Sequence, residues 1–151
     1  MKTYVLMLSQ TFPANHPKKG DQTEFKRLFL NGVKIHTIRA NYPLWEKRVN
    51  EIQQGRAVLS VRQWSGRPYC SKQIEITKLT AEDGVGIQCL KFSPDRDGVV
   101  LYKYFDINGR YADINDVAAH DGLSFIDWRD WFKSYDLTQP LAIIHFTKFR
   151  Y

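Results

Sequence analysis

Runs of alternating apolar and polar residues constrain this chain more than any other feature. "RAVLSVRQW" (56–64) and "KQIEITKLT" (72–80) both repeat with period two, which is the signature of a half-buried strand, and the Gly and Pro of the intervening "SGRPYCS" suit a hairpin connection. "VGIQCLKF" (85–92) and "GVVLYKYF" (98–105) are further strand candidates around the turn "SPDRDG", "LAIIHFTKF" (141–149) is a last one, and "MKTYVLML" supplies a first near 3–9. Helical periodicity is confined to four short segments. "DQTEFKRLFLNG" (21–32) puts Phe25, Leu28 and Phe29 on one face, with Asp21 as N-cap and Gly32 as stop, and "PLWEKRVNEIQQG" (43–55) starts at Pro43 and ends at Gly55. "DINDVAAHDG" (113–122) reads as a short helix and "SFIDWRDWFKSY" (124–135) as a longer one, in which Ser124 and Asp127 form a capping-box-like pair and Phe125, Trp128 and Phe132 share a buried face. With no internal repeat, linker or low-complexity tract, these elements predict a single α+β domain over 1–151, built around a curled sheet.

Composition narrows the function classes. An apolar content of 43% is globular, and no run approaches the ~18 apolar residues that a membrane-crossing helix needs. The opening "MKTYVLML" has too short an apolar run for a secretory signal, so the expectation is a cytoplasmic protein with no membrane partner. Cys70 and Cys89 have no metal-binding spacing and are expected to be reduced; His16, His36, His120 and His145 have no ligand-like spacing either, so no metal and no cofactor is expected. The net charge of +6 is uneven: residues 1–78 hold 14 Lys/Arg against 5 Asp/Glu, whereas residues 79–151 hold 8 against 11. The basic half is the expected face for an anionic partner such as RNA.

One strand carries chemistry that burial does not explain. "NGVKIHTIR" (31–39) places Thr37 and Arg39 two apart, hence on one face, so their side chains can share a pocket. Lys34 has the opposite parity and joins them only if the strand begins after it or bulges. A threonine hydroxyl becomes a nucleophile when a base removes its proton, and a lysine serves if burial or a neighbouring cation depresses its pKa; Arg39 is a candidate for that neighbour. The alternative is a β-favouring threonine between two solvated charges. His36, on the face opposite Thr37, reads as an ordinary strand residue. Trp64 and Tyr69, beside Arg62 and Arg67, interleave aromatic and basic groups as a single-stranded RNA groove does, and a hairpin with a packed tryptophan does the same.

"GVKIHTIR" resembles the G-x-K-x-x-T-x-R signature of the ASCH family, whose members have a barrel fold similar to PUA RNA-binding domains. Gly55 with "AVLSV", "KQIEITKL", "AAHDGLSFIDWRDWFKSY" and "LAIIHF" resemble, in order, the family's later glycine, strands and A-x-x-E-G-F segment, over roughly 24–80 and 112–147, with 81–111 as an insertion. The resemblance implies a PUA-like mixed β-barrel flanked by short helices and a partner that is RNA or a modified nucleoside. Small members of the family are amidohydrolases that deacetylate acetylcytidine with a lysine, a threonine and a glutamate. Carried over, these fall on Lys34, Thr37 and Asp121, with an aspartate in place of the glutamate and Leu123 where the family often has phenylalanine. Arg39, Arg62, Arg67 and Trp64 are the expected ligand-binding residues. Other family members are RNA-binding modules, so hydrolysis and binding both stand as readings of the sequence.

Overall fold

A computed structural model describes the backbone throughout and the side chains of residues 1–100 and 104–151. The elements run β1 (Lys2–Met7), α1 (Phe25–Leu30), β2 (His36–Arg39), α2 (Tyr42–Gln53), β3 (Ala57–Trp64), β4 (Gln73–Leu79), a short 3-10 turn (Ala81–Asp83), β5 (Gly86–Pro94), β6 (Val100–Ile107), α3 (Ile114–His120), α4 (Phe125–Phe132) and β7 (Leu141–His145). The chain is mixed α+β, as its patterning requires. Its strands form two sheets instead of one curled sheet. The first is ordered β1-β3-β4, with β1 parallel to β3 and β3 antiparallel to β4; the second is ordered β2-β7-β5-β6 and is antiparallel throughout. Among the described residues these ladders do not close into one hydrogen-bonded barrel. At one point the two sheets are tied by a side chain: Arg39 at the end of β2 donates from Nη2 to the Met7 carbonyl at the end of β1, at 2.5 Å.

The longest apolar runs occupy the most enclosed positions. β7, "LAIIH", is buried at all five residues, because it lies inside its sheet between β2 and β5 and is packed on by α2. Both faces of such a strand must be apolar, so it reads as continuous instead of alternating. The stretch 81–111 contributes β5 and β6, and β5 pairs with β7 from Gly86 to Leu90. No helix among the described residues is long and apolar enough to cross a membrane.

Two local expectations change. The helix after the first loop begins at Phe25, with Glu24 in the left-handed region as its N-cap position. Asp21 cannot cap it because residues 21–23 are engaged in returning to the chain before them: Gln22 bridges Thr11, and the Thr23 amide and hydroxyl both bond the Gln10 carbonyl. The loop before this helix, "SQTFPANHPKKGDQ" (9–22), has the Pro, Gly and Lys content expected of a surface segment, yet it buries Phe12 and His16. Their rings lie 4.6 Å apart and both meet Trp131 of α4, while His16 donates from Nε2 to the Asp127 carbonyl and accepts from the Lys18 amide at Nδ1. Loop composition reports backbone preference; it is blind to two aromatic anchors among polar neighbours.

Residues 147–151 close over the start of β5. Gly84, at φ +95°, leaves no room for a side chain, since a Cβ there would lie 2.5 Å from the Lys148 amide nitrogen, and Arg150 donates to the Gly84 carbonyl. Gly84→Ala combines left-handed backbone strain with a clash against main chain. It is expected to lower unfolding free energy by about 1–3 kcal/mol in urea titrations. A variant within about 0.5 kcal/mol of the parent, the range of neutral surface substitutions, would show that this segment is not held as described.

Candidate active site

The site is made where three elements end. α1 finishes in a Schellman motif: Gly32 sits at φ +73°, its amide bonds Phe29, and Val33 bonds Leu28. The Leu28 carbonyl also accepts from the Lys34 amide. β2 therefore begins only at His36, and strand parity does not apply to Lys34, which leaves the helix terminus with its side chain directed inward. α3 finishes in the same motif, with Gly122 at φ +82°, its amide on Ala119 and the Leu123 amide on Ala118. That cap leaves the Asp121 carbonyl without an intrahelical partner.

Lys34 fills that vacancy. Its Nζ donates 2.7 Å to the Asp121 carbonyl and 2.7 Å to Asp121 Oδ1, and lies 4.1 Å from the centre of the Phe25 ring. A cation at a helix C-terminus and over an aromatic face is doubly favoured. Gly122 is needed here for its left-handed dihedral; a Cβ would make only a tight contact with the tip of Leu28, at 3.3 Å, and ordinary contact with the lysine stem. The pair is deep: Lys34 is 2% exposed and Asp121 4%. Burial pushes the Lys34 ammonium below its ordinary pKa, against the pull of Asp121, and Arg39 adds to the lowering. Burial pushes the Asp121 carboxyl up, against Lys34, Arg39 and the nearby Trp128 indole, whose N–H stops short of hydrogen-bond geometry. The two groups are thus driven toward sharing one proton.

Thr37 and Arg39 face the same space. Together with Lys34, Asp121, Leu123 and Trp131 they line an enclosed polar cavity of about 20 Å³, room for about one water. Beyond it lies an open groove of about 800 Å³, walled by Trp64, Arg67, Tyr69 and residues 7–14. Leu8, Ser9 and Arg39 line both, and of these only Arg39 is charged. On the groove wall Trp64 and Tyr69 have ring centres 5.2 Å apart; Tyr69 is 88% exposed and holds a left-handed φ of 63°. A non-glycine residue in that region costs energy and is often found at functional sites.

Of the residues singled out from sequence, Lys34, Thr37, Arg39 and Asp121 meet in one cavity, and Trp64 and Arg67 meet Arg39 in the groove. Arg62 lines neither: its guanidinium bonds Ser60 and Gln73 across β3 and β4, and Ser60 in turn bonds Glu75. Trp128 and Phe132 are core residues. Sequence reasoning missed His36 and His145. The antiparallel register sets them opposite each other at the start of β2 and the end of β7, with ring centres 5.5 Å apart. Both are fully buried, and burial is the largest cause depressing each pKa, His36 well below its usual value and His145 to about 3. The signal was available in the matching positions of "HTIR" and "AIIH", but only once those strands were paired. No cluster of three or more His, Cys, Asp or Glu among the described residues is arranged to hold a metal ion.

Two predictions follow from this electrostatic arrangement. Asp121→Ala leaves a buried amine unpaired and is expected to cost about 3–5 kcal/mol, while adding Lys34→Met recovers part of the loss; additive effects in urea unfolding would contradict the pairing. The histidines act on acid stability. Below pH 6.5 the unfolded chain takes up a proton at His145 that the native state refuses until about pH 3, so stability present above 6.5 is lost as pH falls. The slope approaches about 1.4 kcal/mol per pH unit for this one group, and His145→Phe should flatten it by that amount.

No family model matches the chain, and neither does any curated protein or solved structure.

Proposed function

We propose that this chain is an ASCH-type, PUA-like domain that binds an N-acylated pyrimidine nucleoside and hydrolyses its amide without a metal. The observation that carries the reading is the meeting of Lys34, Thr37 and Asp121 in one enclosed cavity beside an open groove, although Asp121 stands 87 positions from Lys34. The G-x-K-x-x-T-x-R resemblance supplies the reaction class.

In this reading the nucleoside ring occupies the groove against Trp64 and Tyr69, Arg39 orients it, and the acyl group enters the small cavity in place of a water. Thr37 attacks the acyl carbon while the Lys34 amine takes the hydroxyl proton. The depressed lysine pKa matters at this step, because an ammonium has no lone pair to offer. The carbon–nitrogen bond then breaks as Asp121, whose carboxyl is raised toward its acid form, protonates the departing exocyclic nitrogen. A water then attacks the acyl-threonine ester: its hydroxyl goes to the acyl carbon and its other proton to the Asp121 carboxylate. The Lys34 ammonium returns its proton to the Thr37 oxygen, so the carboxylic acid leaves and all three groups are restored. Aspartate in place of the family's glutamate is compatible with this role, because the helix end brings its carboxylate within 2.7 Å of Lys34.

The groove favours a second reading, a non-catalytic RNA-binding module, since a half-buried Trp64 and an exposed Tyr69 beside Arg67 are the chemistry that stacks a base and meets a phosphate. One assay separates them. Purified protein incubated with acetylcytidine should release cytidine and acetate; Lys34→Ala and Thr37→Ala should each abolish release without adding in the double variant, and Asp121→Glu should retain or raise it. Absence of cytidine, together with RNA binding that weakens with salt and loses about one unit of slope in Arg67→Ala, would leave the binding module.

A further inference from the structure

The enclosed cavity has a back wall. On one side it shares Leu8, Ser9 and Arg39 with the groove in which the nucleoside is placed; on the other it shares Phe132, and no other residue, with an apolar recess of about 410 Å³. Groove and recess have no lining residue in common, so the cavity stands between them. Phe132 is the last residue of α4 and is 4% exposed. Its ring centre lies 4.8 Å from that of Trp128 and 4.7 Å from that of Tyr135, and those two, with Phe92, Val100 and Leu137, wall the recess. A ring packed between two others is held in place.

Size decides what the cavity admits. With about 20 Å³, it has room for about one water, and a substrate atom enters by displacing that water. The polar atoms of an acyl group are met there by Lys34, Thr37, Arg39 and Asp121, which leaves its alkyl end to the apolar Leu123, Trp131 and Phe132. A longer chain presses on Phe132, and a close-packed interior takes extra methylenes only at the cost of strain. Behind the ring the balance reverses, because an alkyl chain that leaves water for an apolar recess is stabilised with every methylene it buries.

We propose that Phe132 sets the acyl specificity of the site: with its ring in place the protein accepts formyl and acetyl groups and refuses longer chains, and truncating the ring opens the recess as an acyl-chain pocket. This rests on the hydrolase reading. Phe132 meets the alkyl end of the substrate and takes no part in bond making, so the steps of the reaction are the same for every acyl group that fits. A core residue with no such role, when truncated, slows short and long substrates alike. A gate changes their ratio.

The test compares cytidine release from acetylcytidine and from hexanoylcytidine, the same amide with a longer chain. Wild-type protein should favour the acetyl substrate by at least about a hundredfold in kcat/KM, and Phe132→Ala should raise the hexanoyl-to-acetyl ratio by at least about tenfold. Phe132→Val takes its place if the alanine variant does not fold. Leu123→Ala enlarges the cavity without reaching the recess and should not raise the ratio, while Leu137→Trp added to Phe132→Ala fills the recess and should return it to the wild-type value. A wild-type protein that cleaves both substrates within about tenfold of each other, a smaller rise in the truncated variant, or an equal rise in Leu123→Ala overturns the gate. Sodium hexanoate reads the same geometry without turnover. In proton–nitrogen spectra of Phe132→Ala it should shift the indole signals of Trp131 in the cavity wall and Trp128 in the recess wall with one dissociation constant, and in wild-type protein it should leave Trp131 unmoved. A shift of Trp131 in the wild type, or none in the variant, contradicts the partition. The expected shifts, with a wild-type protein that releases no cytidine, would keep Phe132 as the partition and remove the hydrolase.

Discussion

The buried contact between Lys34 and Asp121 is the interaction on which the rest of the structure depends. It satisfies the free carbonyl at the end of α3, fixes the exit of the chain from α1, and sets the charge of the cavity that Thr37 and Arg39 line. A pair taken so far out of water gains little net stability, because desolvation offsets much of the attraction. What it does is lower the lysine and raise the aspartic acid from their ordinary values, which brings a base and an acid closer together in strength. A solvated pair with the same separation would hold both groups ionised and offer neither.

That arrangement needs little sequence. Two glycines, Gly32 and Gly122, end two helices by the same backbone geometry and deliver Lys34 and Asp121 to one point. The Ile35 amide bonds the His120 carbonyl, and the Ile35 carbonyl accepts from the Phe146 amide, so one residue joins the helix end to the end of β7. The cavity is consequently framed by main-chain bonds, while the groove outside it is framed by side chains and by a strained Tyr69. Rigidity inside and adaptability outside are what a site needs to hold a small reacting group firmly and accept a larger ligand.

Much of this was legible before any coordinates. Period-two runs located β3 and β4, strand candidates on either side of the polar turn "SPDRDG" located β5 and β6, the Ser124 cap marked α4, and the same-face spacing of Thr37 and Arg39 pointed to a shared pocket. The question of how Lys34 joins them was open because parity is a rule for strands, and Lys34 lies before the strand, in a helix cap. Burial of Phe12 and His16, the division into two sheets, and the opposition of His36 to His145 were not legible. Each depends on pairing between segments far apart, which local pattern does not encode. Arg62 shows the converse: its charge fitted a binding role, and a bulge in β3 with Ser60 and Gln73 beside it absorbs the side chain within the sheet.

The central claim is that burial outweighs ion pairing at Lys34, and its pKa measures that balance directly. Reductive 13C-methylation of the lysines followed by NMR titration, with Lys34→Arg to assign the signal, would follow this amine alone. The account predicts a midpoint below the 10.5 of a free lysine side chain, falling further in Asp121→Asn as the opposing attraction is removed. A midpoint at or above 10.5 would mean that the aspartate dominates, that Lys34 stays an ammonium throughout the working range, and that the cavity holds an ion pair instead of a base.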